Sequence, residues 1–302
     1  MSRSGRTVSP MATLPLSQDQ IDSYWADGYL FVEDALTKDQ LSALIADFGA
    51  WTEESRSHSE PWGETLAERP RFDLAPEHSS QTPRLRRVAS PIEVSDAYRD
   101  VMRDNGALDA VVQLIGPNVE FNNSKINAKQ PGSSTEVKFH QDFMFQPHTN
   151  EDLIACLFFL DEVTLDNGPL QVVPGTHRGE LWDHWHDGVY TGAVSPEVEA
   201  AHVEHAIRVY GPAGSACLMH TRLLHGSAPN NSEHPRTLFI AEYRAEDSKP
   251  LQVNHLPSIF QGEVVRGERT NQVRCSTYEM EYPEVPTGAS FFSQQAKAGE
   301  MS

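Results

Sequence analysis

Residues 119–173, VEFNNSKINAKQPGSSTEVKFHQDFMFQPHTNEDLIACLFFLDEVTLDNGPLQVV, decide the fold class. Short runs rich in β-branched and aromatic residues follow one another, with Pro, Gly and Asn turns between them. Strands are predicted at 119–129, 136–140, 153–163 and 170–173, and the pattern resumes at 206–209, 215–219 and 237–243. Many short strands without long intervening helices predict a β-sandwich or jelly roll over about 119–245.

Working outward, the helices fall before this region, so the expected class is mainly β with flanking α, the helices buttressing one sheet. Ser17 caps a short helix from Gln18 to about Asp27, Gly28 ends it, and 29–32 is a strand. Thr37, with Gln40 three residues on, opens a second helix whose apolar stripe is Leu41, Leu44, Ile45 and Phe48. A third runs from Ser95 to Gly116-Pro117, and the Pro-, Ser- and charge-rich 53–90 reads as a long irregular loop. The domain organisation expected is a loose tail over 1–14 and one domain over 15–302. Within that domain, 246–302 is a polar C-terminal extension that either wraps the core or covers a site.

The 302 residues carry 24 Lys+Arg and 43 Asp+Glu, a formal net charge of −19. An acidic surface argues against nucleic acid and against docking on anionic lipid. The longest apolar run, 153–160, has eight residues, well short of a membrane span. The first residues lack a secretory signal's apolar centre. Three cysteines, Cys156, Cys217 and Cys275, without CxxC spacing, suit a reducing cytosol, so a cytoplasmic location is expected. Nothing in the sequence fixes the oligomeric state. Thirteen histidines stand out, ten of them between His140 and His234.

In Val137-Lys138-Phe139-His140-Gln141-Asp142, the end of a predicted strand, His140 and Asp142 are two apart and leave the same face. Imidazole and carboxylate projecting together make two-thirds of the His, His, carboxylate set that holds non-haem Fe(II). The spacing alone is weak, because His58-Ser59-Glu60 and His202-Val203-Glu204 have it too, in polar stretches. Downstream, the apolar strand at 215–219 leads into His220 and His225-Gly226-Ser227, and Arg236 follows eleven residues past His225. An arginine there faces the same interior, and its planar fork suits a carboxylate.

Together, His140-Gln141-Asp142, Asn167-Gly168-Pro169-Leu170, Pro174-Gly175-Thr176-His177-Arg178-Gly179 and His225-Gly226-Ser227 with Arg236 resemble the phytanoyl-CoA dioxygenase family of Fe(II)/2-oxoglutarate oxygenases. Asp27-Gly28-Tyr29-Leu30-Phe31-Val32 resembles that family's first helix–strand junction, so the resemblance spans about 15–245. It implies a double-stranded β-helix, a jelly roll of cupin type, with His140, Asp142 and His225 on iron. Arg236 would bind the distal carboxylate of 2-oxoglutarate, with Ser227 assisting and Gln141 in the middle of the ligand motif. Phe158 is expected to wall the cosubstrate. Lys125 and Asn127 lie on a strand whose alternate residues, Asn123 to Lys129, are polar; that face points either into the roll, toward cosubstrate or substrate, or to solvent. The implied chemistry is hydroxylation of an unactivated C–H bond of a small molecule by O2, releasing succinate and CO2. Asp142 favours hydroxylation over halogenation, because related halogenases carry a small residue there.

Phe143, Phe145 and Trp182 are candidate substrate contacts, with core packing as the alternative reading. His220 and His177 read as structural. Arg84, Arg86 and Arg87 form one of the main basic clusters and read either as solvated or as a local anion grip for a substrate carboxylate or phosphate. Two other classes remain open: a cupin-like metal enzyme that uses no 2-oxoglutarate, and a non-catalytic binding member of the fold. Arg236 argues against the first, and three intact ligands against the second.

Overall fold

Ser17 and Gln20 close a reciprocal capping box at the start of α1 (Gln18–Asp27), and Gly28 ends the helix in the left-handed region at φ 84°. The structure, a computed structural model, describes residues 15–284, 292 and 294–296; the tail expected over 1–14 and much of the distal C-terminal extension lie outside them. Strand β1 (Tyr29–Val32) follows, then α2 (Lys38–Glu54), capped by the same box from Thr37 and Gln40.

Two expectations are corrected next. The segment 53–90 is not wholly irregular, since it contributes β2 (Phe72–Leu74) and β3 (Leu85–Ala89). The helix begun at Ser95 is two helices, α3 (Asp96–Arg103) and α4 (Leu108–Ile115). The chain breaks between them because Asn105 turns its side chain onto the Val101 carbonyl and the Ala107 amide, while the Gly106 amide bonds across to Ala35 O.

The β region then unrolls as β4 (Val119–Lys129), β5 (Val137–His140), β6 (Leu153–Phe159) and β7 (Leu170–Val172). A small hairpin, β8 (Trp185–His186) and β9 (Val189–Tyr190), precedes α5 (Pro196–His202). The remaining strands are β10 (Ile207–Val209), β11 (Ala216–His220), β12 (His225–Ser227), β13 (Arg236–Ala245) and β14 (Val264–Arg266). Apart from the β8–β9 hairpin, the strands form two antiparallel sheets. The larger runs β1-β11-β6-β13-β4-β3-β2, with β14 also on β4, and the smaller runs β10-β7-β12-β5.

Strand alternation divides the apolar residues cleanly. On the outer face of the large sheet, Ile154, Cys156, Phe158 and Phe239 pack with Leu44, Tyr98 and Val111 of the helices. On the inner face, Leu157, Phe159, Leu238 and Ile240 meet Leu170 and Val172 of the small sheet. The helices therefore buttress one sheet from behind, and the space between the sheets is left for the site. The C-terminal extension returns along the large sheet, pairing β14 with β4 and Pro250 with His148.

Gly28 ties these parts together. A Cβ there would lie 2.8 Å from Leu223 Cδ1 and closer still to the His177 ring, at a φ that L side chains rarely adopt. Gly28→Ala is therefore expected to cost roughly 2 kcal/mol, read as a lower urea midpoint with unchanged slope, and to lower the melting temperature by about 5 °C.

Candidate metal centre

Across the small sheet, His225 of β12 stands directly opposite His140 of β5. Two residues past His140 the chain leaves the strand into a tight turn, and this brings Asp142 beside both rings. Asp142 Oδ1 lies 3.5 Å from His140 Nε2, and Oδ2 lies 3.8 Å from His225 Nε2; one ligand atom from each of the three residues falls within 4.8 Å of the others. The Nδ1 atoms face carbonyl oxygens, Lys138 O at 2.8 Å and Leu223 O at 2.9 Å. A carbonyl only accepts, so each Nδ1 carries the proton and each Nε2 lone pair turns to the centre.

For Asp142 and His225 the electrostatics agree with this. Burial raises the Asp142 carboxyl, but its charged surroundings, Lys125 foremost, outweigh this and hold the group well below the usual range. Burial is the main cause that brings His225 down to about 3. A carboxylate and two neutral imidazoles on one side of a point are the donor set that suits divalent iron and leaves further positions open.

The cavity beside this triad extends along the inner face to Arg236. Arg236, buried and opposite Lys129 at the end of the β13–β4 ladder, donates through Nε to Gly168 O at 3.0 Å. Its Nη2 approaches Ser227 Oγ at 3.5 Å, and Lys129 Nζ donates to the same hydroxyl at 2.7 Å. Gly168 has no room for a side chain, because a Cβ would lie 2.8 Å from Ala228 O. Asn167 braces that turn on Glu162 O and Pro235 O. The fork of Arg236 and the Ser227 hydroxyl, held in place by Lys129 Nζ, which also donates to Ser227 O and Ala228 O, suit one end of a dicarboxylate such as 2-oxoglutarate.

Lys125 and Asn127 line this cavity, so their strand face points into the roll, with Lys125 Nζ 3.9 Å from Asp142 Oδ1. Phe145 sets its ring edge against His140 at 5.7 Å. Three expectations are corrected. Phe158 faces the helices, because alternation gives the inner position to Leu157, which lines the cavity. Gln141 turns away from the centre; its side chain bonds Glu180 O, Arg222 O and the Trp182 amide, so it braces the ligand turn from behind. Trp182 packs on His202 of α5 and against the buried cluster of Phe139, Val173, Val194 and Leu224, and does not line the cavity. Phe143, not among the cavity-lining residues, places its ring against Tyr278.

Lys129 was visible in the sequence as the last member of the polar alternation but not singled out. Its signal is the position opposite Arg236, which only strand pairing reveals. Glu242, on the inner face beyond Ile240, gave no sequence signal. A bulge at Asn122 turns two consecutive asparagine side chains onto its carboxylate. The competing His-x-Glu pairs hold nothing: His58 stacks on Trp62, and His202 bonds Val198 O within its own helix. His177 reaches Trp25 O from the turn against Gly28, and His220 accepts the Arg222 amide.

A family model described as phytanoyl-CoA dioxygenase matches residues 24–238. The chain is 35% identical over 186 residues to a probable alpha-ketoglutarate-dependent hypophosphite dioxygenase of Stutzerimonas stutzeri, covering 60% of this chain and 64% of that one. It is 30% identical over 159 residues to L-proline trans-4-hydroxylase of Streptomyces griseoviridis, covering 46% and 59%. Both alignments span less than two thirds of the relative. Among solved structures, iron-bound EctD from S. alaskensis has the same fold at a TM-score of 0.65 and 22% identity, covering 88% of this chain and 91% of that one.

Two histidines outside the centre make folding pH-dependent. His148 and His220 are buried, and burial takes each down to about 3. Because the unfolded chain protonates near 6.5, stability from each is present above that pH and is lost as pH falls toward 3. Urea unfolding should therefore lose about 2 kcal/mol per histidine between pH 6.5 and 5, and His148→Gln should flatten that slope.

Proposed function

The chain belongs to the phytanoyl-CoA dioxygenase family, and on that premise we propose that it is an Fe(II)- and 2-oxoglutarate-dependent dioxygenase hydroxylating a C–H bond of a small molecule. The observation that carries this reading is the convergence of His140, Asp142 and His225 at one end of a cavity and Arg236 at the other. Iron, 2-oxoglutarate and O2 supply the oxidising power, with succinate and CO2 as the by-products.

The chain's own groups have separable tasks. His140, Asp142 and His225 hold the metal, with their Nδ1–H bonds fixing the ring orientation. Arg236 and Ser227 grip the distal carboxylate, with Lys129 positioning Ser227, and Arg236 stays cationic although burial lowers it to about 10. Leu157, Leu238 and Ile240 form apolar walls that keep water from the space between metal and arginine. Lys125 sits over Asp142, where it favours the ionised carboxylate the metal needs. Asn127, on the cavity wall, is placed to contact substrate or cosubstrate, while Phe145 packs on His140 and backs the ligand ring.

The names of the relatives, for hypophosphite and L-proline, support a small-molecule substrate. No described helix is long and apolar enough to cross a membrane, and three free cysteines support a reducing compartment, the cytoplasm. Cys156 and Cys217 belong to clusters on opposite faces of the large sheet. The pairing of β14 with β4 supports treating 15–302 as one domain with a C-terminal extension.

Adding Fe(II) and 2-oxoglutarate without oxygen should give a weak visible charge-transfer band, and admitting air should release succinate; absence of both sinks the reading. Asp142→Ala should weaken metal binding at least about a hundredfold in calorimetry. Arg236→Ala should leave metal binding within about twofold while raising the apparent KM for 2-oxoglutarate roughly thirtyfold or more.

A further inference from the structure

We infer that the C-terminal extension belongs to the site: Phe292 closes the mouth between the two sheets beside the metal centre, Gln295 holds it there, and the ring sets by its size which ligands reach the metal. This rests on the iron and 2-oxoglutarate reading of the site.

The mouth exists because the small sheet ends at β5. An edge strand presents backbone N–H and C=O groups that its own sheet leaves unpaired. Gln295 takes them up at Lys138. Its Oε1 accepts the Lys138 amide at 3.0 Å, and its Nε2 donates to Gly192 O at 3.0 Å and lies 3.5 Å from Lys138 O. A primary amide carries the donor and the acceptor of a peptide unit, so one side chain stands in for a neighbouring strand. Lys138 O also accepts the Nδ1–H of the ligand His140 at 2.8 Å. The clip therefore lies one hydrogen bond from the metal centre.

Phe292 lines the same cavity as His140 and Asp142. Its ring is buried with Phe145 and Tyr190, and Val137 of β5 packs against that cluster. From the large sheet, Arg86 of β3 sets its guanidinium 5.0 Å from the ring centroid. The ring thus spans the gap between β5 and β3. The path of the extension agrees. The Ser276 amide bonds Thr149 O, Tyr278 sets its ring 5.3 Å from Phe143, and Tyr282 O accepts the Trp185 indole N–H at 3.1 Å. Phe143 directly follows the ligand Asp142, and Trp185 lies in the hairpin whose Tyr190 packs on Phe292. Each contact draws the extension to the metal side of the roll, and a core wrap has no need of an aromatic ring on the cavity wall. There the ring excludes water from the metal and limits entry by size.

The test is the rate at which excess 1,10-phenanthroline, a bulky planar chelator, removes Zn(II) from the loaded full-length chain, beside Zn(II) affinity by calorimetry. Phe292→Ala should speed removal about tenfold or more while Zn(II) affinity stays within about twofold, because an opened mouth quickens entry and exit alike. Gln295→Ala should speed it severalfold by loosening the clip, and Phe292→Leu should fall between Phe292→Ala and the wild type. An unchanged rate in a folded Phe292→Ala or Gln295→Ala overturns the inference. So does a faster rate matched by an equal loss of Zn(II) affinity, which would make the ring a support for the ligands instead of a closure. Should Phe292→Ala not melt cooperatively, Phe292→Leu and Gln295→Ala decide. Failure of the wild type to bind Zn(II) counts instead against the functional reading. Amide hydrogen exchange over 137–140 in the metal-free protein then decides the clip by itself: it should be about tenfold faster in Gln295→Ala, and unchanged exchange overturns the inference.

Discussion

The register between β5 and β12 is the constraint on which the rest of the structure depends. His140 and His225 are cross-strand partners, and strand side chains alternate with a period of two. Slipping either strand by one residue would send one imidazole to the opposite face of the sheet. The register is held from both sides. Gly226 lies so close to Val137 O and the Phe139 ring that no Cβ fits. Beyond the strand, Thr176 of the PGTHRG turn accepts the Leu224 amide, while Gly175 bonds Asp27 O. Thus the helix–strand junction at Gly28, the PGTHRG turn and the second histidine form one mechanical unit. The sequence pieces that looked like separate motifs are parts of a single brace.

The second organising feature is the sorting of charge. The chain is strongly acidic, yet the inner face of the large sheet carries Arg87, Lys125, Lys129 and Arg236. Alternation on β4 and β13 places Lys125 and Lys129, then Leu238 and Ile240, toward the cavity, while Ile126, Phe239 and Ala241 face the helices. Three of these cations have neighbours of their own: Asp142 for Lys125, Ser227 for Lys129, Gly168 O for Arg236. Polar residues in the centre of a sandwich are costly unless satisfied in this way. Their concentration between the sheets marks the interior as a place for charged ligands rather than a second apolar core.

Much of this was legible in the sequence because it is local. The cap at Ser17 and the box of Thr37 with Gln40 depend on residues within three positions, and both helices begin where they place them. The strands from Val119 onward announced themselves by composition and by their turns. His140 and Asp142 share a face by spacing alone, and the ordered motifs pointed to the family. The misreadings were non-local. β2 and β3 are short and lie in a polar stretch; they are strands because β4 offers an edge to pair with. Gln141 sits between two ligands in sequence, yet its side chain leaves on the other face and is consumed by three hydrogen bonds. Phe158 was placed on the wrong side of its strand, a single step of alternation. Of ten histidines clustered in the sequence, two meet at the centre.

The sequence by itself determined the fold class, the order of the motifs and the residue types required at the centre, since these depend on spacing and composition within short windows. Only the tertiary structure decided which polar residues meet. Lys129 reaches Ser227 across 98 positions of sequence, Arg236 closes onto Gly168 across 68, and Arg87 enters the cavity face by pairing opposite Asn127. Such contacts arise from sheet order and register. Two sheets closing over one space bring distant side chains within hydrogen-bond range, and no local pattern records which of them arrive.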